Sequence, residues 1–460
     1  MNYYLRNPYL HRVLIVVLVD ALCFATAAGA AWSIVRPPLG PWFWATLTVL
    51  GTGACFVTLF YCDAYRPTIL GSARQTISCV ASTMGLALCV ALVVYFAVPT
   101  PPGAVESLVH TAALYFPLLV FSRLGFRAAS ALPRLQTRVV VIGSSGLGLA
   151  IARAVRDHPN MGTELVGFLS DDPELAHAGA SVSGFPVIGR IHEIEKIVER
   201  LRVGWIVVAS KSRTEHFPAD VLLSCKLRSC RVESGMAFYE RITGRIYLRD
   251  LRPSYLIFSE GFRQGRIAAA LKQVFDLVGA SLALLVVVPV LIVCAVAIRL
   301  DSRGPVFYRQ ERLGRDGRTF RVWKLRSMRD HAEDETGPVF ANEGDDRMTR
   351  VGRILRKTRL DEVPQLFNVL AGDMSLVGPR PERPEFVESL RARYPYFSLR
   401  SALKPGITGW AQIRYGYVGN IDAFEEKLAL DLYYLKRRSL FMDLLILWHT
   451  VKTVILLRGV

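Results

Sequence analysis

The sequence predicts a membrane protein of α and α/β class in three parts: an N-terminal four-helix transmembrane bundle, a Rossmann-like α/β domain, and a monotopic C-terminal domain carrying a re-entrant helix. Three observations predict this. Four apolar segments open the chain. A β-branched run with closely spaced glycines and then a helical pattern follows them. A fifth apolar stretch, interrupted by a proline, has cations at both ends.

Composition sets the frame. The chain has 460 residues, 52% of them hydrophobic, which exceeds one ordinary domain and indicates membrane content. Its formal net charge is +17. Such a balance suits anionic lipid or phosphorylated substrates, and beside membrane segments it sets nucleic acid aside. The eight cysteines include no CxxC pair, and most sit in or beside apolar stretches, as with Cys23, Cys55, Cys62, Cys79, Cys89 and Cys294. They read as reduced, packed thiols rather than a disulfide framework or zinc site.

The four opening segments lie near residues 11–35, 42–62, 76–98 and 107–122, within a domain spanning 1–130. Each is about long enough to cross a ~30 Å hydrocarbon core. The first lacks a small-residue cleavage site followed by a soluble chain, so it reads as an anchor. Arg6 and Arg12 precede the first segment, Arg66 and Arg74 separate the second from the third, and Arg123 and Arg127 follow the fourth. The other two loops hold only Arg36 and, around "VPTPPGAVE", no Lys or Arg. By the positive-inside rule the N-terminus and everything after Phe121 are cytoplasmic.

"TRVVVIGSSGLGLAIARAVRDHP" comes next, a strand, a turn with Gly143, Gly146 and Gly148, and a helix. That order suits a phosphate at a helix N-terminus, although such loops also serve merely to pack helix on strand. Further strands at "ELVGFLSDD" and "VGWIVVAS", with helix-like "IHEIEKIVERLR" between, complete a doubly wound domain over 137–250. No Tyr-x-x-x-Lys occurs in the chain, which argues against a short-chain dehydrogenase or sugar epimerase.

A linker rich in Arg, Gly and Tyr leads to the fifth apolar stretch, Val274 to Ile298, which contains Pro289. Arg263, Arg266 and Lys272 stand before it and Arg299 and Arg303 after it. Positive charge on both sides conflicts with a simple crossing. A helix over 271–299 that enters one leaflet, breaks at Pro289 and returns resolves the conflict. The C-terminal "SLFMDLLILWHTVKTVILL" carries Asp443, His449 and Lys452, and reads as an interfacial helix.

Within 301–410 cations recur: Arg309, Arg312, Arg315, Arg318, Arg321, Lys324, Arg326, Arg347, Arg350, Arg353, Arg356 and Arg380. Arginine forks suit phosphate oxygens, and some of these face anionic lipid headgroups. A headgroup surface does not explain the acidic pair Asp361-Glu362, whose charges it would repel. A carboxylate among phosphate-binding cations holds Mg²⁺ against a diphosphate, or attacks phosphorus to give an acyl-phosphate. Nearby arginines are expected to keep its pKa low. The alternative is a surface pair near a helix start, favoured by the helix dipole. Lys357 and Arg359 read as headgroup-facing.

"FRVWKLRSM" (320–328), "RKTRLDEVPQLFNVLAGDMSLVGPRPERPEF" (356–386) and "KPGITGWAQIRYGY" (404–417) resemble, in order, the signatures of bacterial polyprenyl-phosphate sugar-1-phosphate transferases. The four-span N-terminus looks like the large members of that family, and "GWAQIRYGY" is similar to its exopolysaccharide- and exosortase-associated branch. The resemblance implies a catalytic domain over 262–460 on the cytoplasmic face of the bacterial inner membrane. It implies transfer of a sugar-1-phosphate from a UDP-sugar to undecaprenyl phosphate, releasing UMP, as the initiating step of exopolysaccharide or O-antigen synthesis. Asp361 corresponds to the nucleophile and Glu362 assists, the two holding Mg²⁺. Arg356, Arg380, Lys324 and Arg326 correspond to phosphate-binding positions, and the helix break falls at Pro289. The large members also form homodimers. Two departures stand out: Val288 replaces the Ser common before that proline, and Arg414-Tyr415-Gly416 replaces the Asn-Gly-Arg of small members. Two other readings remain, a simple glycosyltransferase that moves sugar without phosphate and a nucleotide-sensing membrane scaffold. Nothing in the motifs reads the hydroxyls of the sugar.

Overall fold

The computed structural model describes residues 8–35, single positions between 53 and 85, 104–130, 136–144, 146–158, 162–172, 180–209, 219–228, 230–329, 346–415 and 424–455. The chain divides into two compact units, Met1–Thr243 and Gly244–Val460. The predicted spans 42–62 and 76–98 lie outside the described residues except for those single positions.

In the first unit, helices α1 (Pro8–Val35) and α2 (Ala104–Ser130) contain windows long and apolar enough to cross a membrane, Leu14–Val35 and Val109–Phe126. They pack together through Val16, Ala27, Tyr115 and Leu119, with Phe24 edge-on to Tyr115 at 5.2 Å. Arg123 differs from its expected place in a loop after the fourth span. It lies inside α2, buried, with Nη2 2.6 Å from Asp20 Oδ2 of α1. A buried guanidinium in an apolar helix pair needs such a partner, and Asp20 supplies it.

A six-stranded sheet follows in the same unit. Its order is β3-β4-β2-β1-β5-β6, where β1 is Thr137–Ile142, β2 Thr163–Leu169, β3 Ser181–Val182, β4 Phe185–Gly189, β5 Trp205–Val208 and β6 Arg231–Ser234. All pairings are parallel except β3 with β4. Val139 to Ile142 are buried, as a central parallel strand covered on both faces requires. Helices α3 (Leu147–Asp157), α4 (Ile194–Leu201), α5 (Ala219–Leu227) and α6 (Gly235–Thr243) are interleaved with these strands. In the glycine turn, a Cβ on Gly148 would fall 2.0 Å from Gly143 O, so close packing of α3 on the turn demands this glycine. Cys225 and Cys230 are free and buried in the core of the sheet.

The second unit opens with a segment that includes short helix α7 (Pro253–Phe258) and then α8 (Arg266–Asp301), a 36-residue helix with Pro289 inside it. It too is long and apolar enough to cross a membrane. Both of its ends are fastened to this unit. Near the start, Lys272 Nζ lies 2.7 Å from Asp276 Oδ1 and 3.2 Å from Asp443 Oδ2, while Ser375 Oγ donates to Asp276 at 2.8 Å. Near the end, Cys294 and Ile298 join Leu325 and Leu355 in one core, and Asp301 accepts from Val351 N at 3.0 Å.

The remaining elements are an antiparallel hairpin of β7 (Phe307–Leu313) and β8 (Thr319–Leu325), helices α9 (Arg350–Lys357) and α10 (Gln365–Ala371), and β9 (Ser375–Val377). Helix α11 (Pro384–Arg393) precedes β10 (Gly406–Thr408), which pairs in parallel with β9. Helices α12 (Trp410–Tyr415), α13 (Phe424–Arg437) and α14 (Leu440–Ile455) complete the described residues. In α14 the usual amphipathic arrangement is inverted. Asp443 and Lys452 are buried against the protein, and Phe441, Leu444, Trp448 and Val451 are exposed.

Candidate active site

Three short pieces of chain bring the site together. The first is β8, which carries Lys324 and ends in Arg326-Ser327. The second is α9, which starts beside Ser327. Thr349 caps it by accepting from Gly352 N at 2.9 Å, and a Cβ on Gly352 would stand 1.9 Å from Ser327 O. Only glycine lets α9 lie this close to β8. The helix ends at Lys357, and Arg359 turns the chain with φ 56° and ψ 18° into a 3-10 turn, Leu360–Glu362, that carries both acids. The third piece is the Gly378-Pro379-Arg380-Pro381 turn after β9.

Asp361 and Glu362 are 6% and 8% exposed. The cations fall chiefly on Glu362. Arg380 Nη2 donates to its Oε1 at 2.5 Å, Lys324 Nζ stands 3.7 Å from the same oxygen, and Arg359 Nη1 lies 3.6 Å from Oε2. Burial alone would raise Glu362, but the charges of Arg380, Lys324 and Arg359 and the Arg380 hydrogen bond hold it well below the usual carboxylate range.

Asp361 behaves in the opposite way. Burial, and then the Glu362 charge beside it, push its carboxyl up to about 6 against the pull of Lys324, Arg356 and Arg380. This corrects the expectation that arginines keep the attacking carboxylate low. Charge compensation goes to the neighbour, and desolvation governs Asp361. Burial also pushes Lys324 down to about 8 and Arg312 down to about 10.

The structure thus gathers Asp361, Glu362, Lys324, Arg356 and Arg380. Arg356 also donates through Nε to Ser327 Oγ at 3.0 Å. Arg326 does not join them: its Nη2 donates to Ser302 O and Oγ at 2.8 Å, closing the C-terminal end of α8. Pro289 lies within α8, and Gly143, Gly146 and Gly148 lie in the first unit. Lys357 is exposed as expected, but Arg359 is not a headgroup-facing residue, because its side chain is mostly buried against Glu362.

Sequence reasoning also passed over the support of the Arg380 turn. Arg400 Nη2 donates to Arg380 O at 2.7 Å and pairs with Asp431 at 2.8 Å. Glu382 binds Arg400 at 3.2 Å and also Lys427. Although burial would raise it, Lys427 and Arg400 hold Glu382 down to about 2. Arg312 donates to Pro381 O at 3.2 Å. These residues come from four separate parts of the chain, and the one local signal was the charge of "RPERPEF".

Among the described residues no group of three or more His, Cys, Asp or Glu side chains gathers to hold a metal ion. The two acids by themselves suit a Mg²⁺ that keeps several waters and takes its other ligands from phosphate. Asp361, buried and engaged in no ion pair among the described residues, and Glu362 are the residues that could hold such an ion.

Two buried carboxylates lie among convergent cations, on a unit that also holds a helix long and apolar enough to cross a membrane, an arrangement that could bind phosphate groups. The family profile described as bacterial sugar transferase matches residues 267–457, and one described as a CoA-binding domain matches residues 61–223. An N-acetylgalactosamine phosphotransferase of Aeromonas hydrophila, named for UDP-N-acetylgalactosamine and undecaprenyl phosphate, is 40% identical over 234 residues, 51% of this chain and 54% of that protein. A UDP-glucose:undecaprenyl-phosphate glucose-1-phosphate transferase of Klebsiella pneumoniae is 32% identical over 340 residues, 72% of this chain and 69% of that one. A transferase of the same name from Caulobacter vibrioides is 42% identical over 211 residues, 45% of this chain and 79% of that one. The chain therefore spans about half the length of the Aeromonas relative and about two thirds of the Klebsiella one. It belongs to the bacterial polyprenyl-phosphate sugar-1-phosphate transferase family.

Proposed function

We propose that the chain transfers a sugar-1-phosphate from a UDP-sugar to undecaprenyl phosphate, releasing UMP, at the start of a polysaccharide. The observation that carries this is the asymmetry of the acidic pair: among the described residues Asp361 is buried without an ion-pair partner, while Glu362 beside it is held by three cations. An Asp361 oxygen attacks the sugar-bearing phosphorus. The bond from that phosphorus to the bridging oxygen breaks, and UMP leaves with the oxygen and its charge. The aspartyl-phosphate then meets an oxygen of undecaprenyl phosphate at the same phosphorus. The acyl-phosphate bond breaks, Asp361 regains its carboxylate, and a lipid-linked diphospho-sugar departs. Arg380, Arg356 and Lys324 screen the phosphate charge through both displacements. Mg²⁺ held by Asp361 and Glu362 would add charge neutralisation on the diphosphate.

Membrane placement follows the same logic. UDP-sugars are cytosolic and the acceptor headgroup lies at the membrane face, so the site belongs at the cytoplasmic surface of the inner membrane. Helix α8 acts as a re-entrant element that turns back at Pro289. Straight, 36 residues would extend about 54 Å. Residues near both of its ends are fastened to one compact unit, which supports a return to the same face. Four N-terminal spans and a homodimer complete the architecture.

The test incubates the full chain with a panel of labelled UDP-sugars, undecaprenyl phosphate and Mg²⁺, and scores UMP and lipid-linked product. UMP rather than UDP distinguishes phosphoglycosyl transfer from simple glycosyl transfer. Asp361→Asn abolishes both products; full activity in that variant would sink the mechanism.

A further inference from the structure

Arg359 occupies a backbone position that its side chain does not suit. Its φ of 56° lies in the left-handed region, at the point where α9 ends and the chain reverses into the dyad turn. Its own N–H donates to Arg356 O at 3.1 Å, and its carbonyl accepts from Glu362 N at 3.2 Å, so the turn itself needs only backbone. Glycine or asparagine meets that need without strain. A strained residue of this kind beside a reactive group points to a use for its side chain.

That use is visible in the geometry. The guanidinium reaches Glu362 Oε2 at 3.6 Å, whereas Arg380 and Lys324 approach Oε1. The side chain is only 23% exposed, and its Nε is buried without a hydrogen-bond partner among the described residues. Headgroup contact does not account for a side chain so enclosed.

Resting on the transferase function proposed above, we infer that Arg359 is a positioning residue for the displacement: with Arg380 it clamps Glu362 from both oxygens and keeps that carboxylate turned away from the attacking oxygens of Asp361. Without Arg359, Glu362 Oε2 loses this partner and the carboxylate is free to turn toward Asp361. Attack is then slower, while binding of the UDP-sugar is little changed.

Arg359→Gly and Arg359→Asn test this, because both residues tolerate the left-handed backbone. Full-length protein in nanodiscs is assayed for UMP release over a range of UDP-sugar concentrations, beside thermal melts and Asp361→Asn as the blank. Expected are a Tm equal to or above wild type, a kcat lower by about tenfold with KM for the UDP-sugar little changed, and partial recovery of kcat in Arg359→Lys. Wild-type kcat in both variants overturns the role of Arg359 while leaving the transferase function standing. Loss of kcat that tracks a fall in Tm, with no recovery in Arg359→Lys, also overturns it, by assigning the effect to the turn. A wild-type chain that releases no UMP from any UDP-sugar brings down the transferase function itself, and the role of Arg359 with it.

Discussion

Asp361 and Glu362 are adjacent and almost equally buried, so the difference between them comes from where the cations point. Arg380, Lys324 and Arg359 converge on Glu362 and leave Asp361 to bear desolvation. The sign of the consequence for stability is definite. A carboxyl whose folded pKa is raised favours the folded state fully below its unfolded value near 4. That stability is lost as pH rises through about 6. Asp361→Asn therefore raises Tm at neutral pH while abolishing transfer, and the gain fades near pH 4, where wild-type Asp361 is protonated. Parallel melts at the two pH values check this, and an unchanged Tm at neutral pH would contradict the burial argument. The acid pair and its arginines were legible in the string "RKTRLDEVPQ". Which acid the cations serve was not, because that depends on the left-handed turn at Arg359 and on a loop eighteen residues downstream.

At the scale of elements, the strands and the long helix could be read because their signals are local: a β-branched run for β1, and an apolar stretch with flanking charge for α8. Arg326 shows the limit of such reading. The motif "KLRSM" puts Lys324 and Arg326 two residues apart on one strand, yet the second caps the end of α8 through Ser302. The α14 segment shows another. Its Asp and Lys mark an amphipathic helix, but they pair inward, Asp443 with Lys272 and Tyr434, so the apolar face is the one left exposed. Such an inverted helix suits lipid contact rather than water. The fastening of both α8 ends to one unit yields a direct topological expectation. Single cysteines placed at Gly265 and at Arg303, in a cysteine-free background, are labelled by an impermeant thiol reagent only from the cytoplasmic side of inverted vesicles. Labelling of Arg303→Cys from the opposite face would establish a full crossing and remove the re-entrant turn at Pro289.

For the whole molecule, the described residues run in order through apolar helices, a largely parallel sheet and a C-terminal part, and they divide into two compact units rather than three. The contact boundary between units falls at Thr243/Gly244. Residues 244–262 belong physically to the C-terminal unit. Trp410 Nε1 donates to Gly244 O at 2.8 Å, Ile246 N donates to Ala429 O at 3.2 Å, and Tyr396 Oη donates to Leu251 O at 2.8 Å. Arg249 pairs with Glu425 at 3.2 Å, and Lys436 Nζ donates to Tyr255 Oη at 2.8 Å. Composition alone suggested a linker here, because Arg, Gly and Tyr carry no periodicity, and their partners lie more than a hundred residues away. Two truncations separate the possibilities. A chain beginning at Gly244 retains the dyad, its cations and this packing, so it keeps UMP release if the first unit is regulatory or dimer-forming rather than catalytic. A chain beginning at Arg263 exposes the sites that Ile246 and Leu251 fill, both now buried, at a cost of about 1.5–3 kcal/mol for each side chain. It should melt lower and lose activity with temperature sooner. Equal melting of the two truncations would make the 244–262 segment a mere connector. An inactive but folded Gly244 chain would instead make the first unit part of the catalytic machinery.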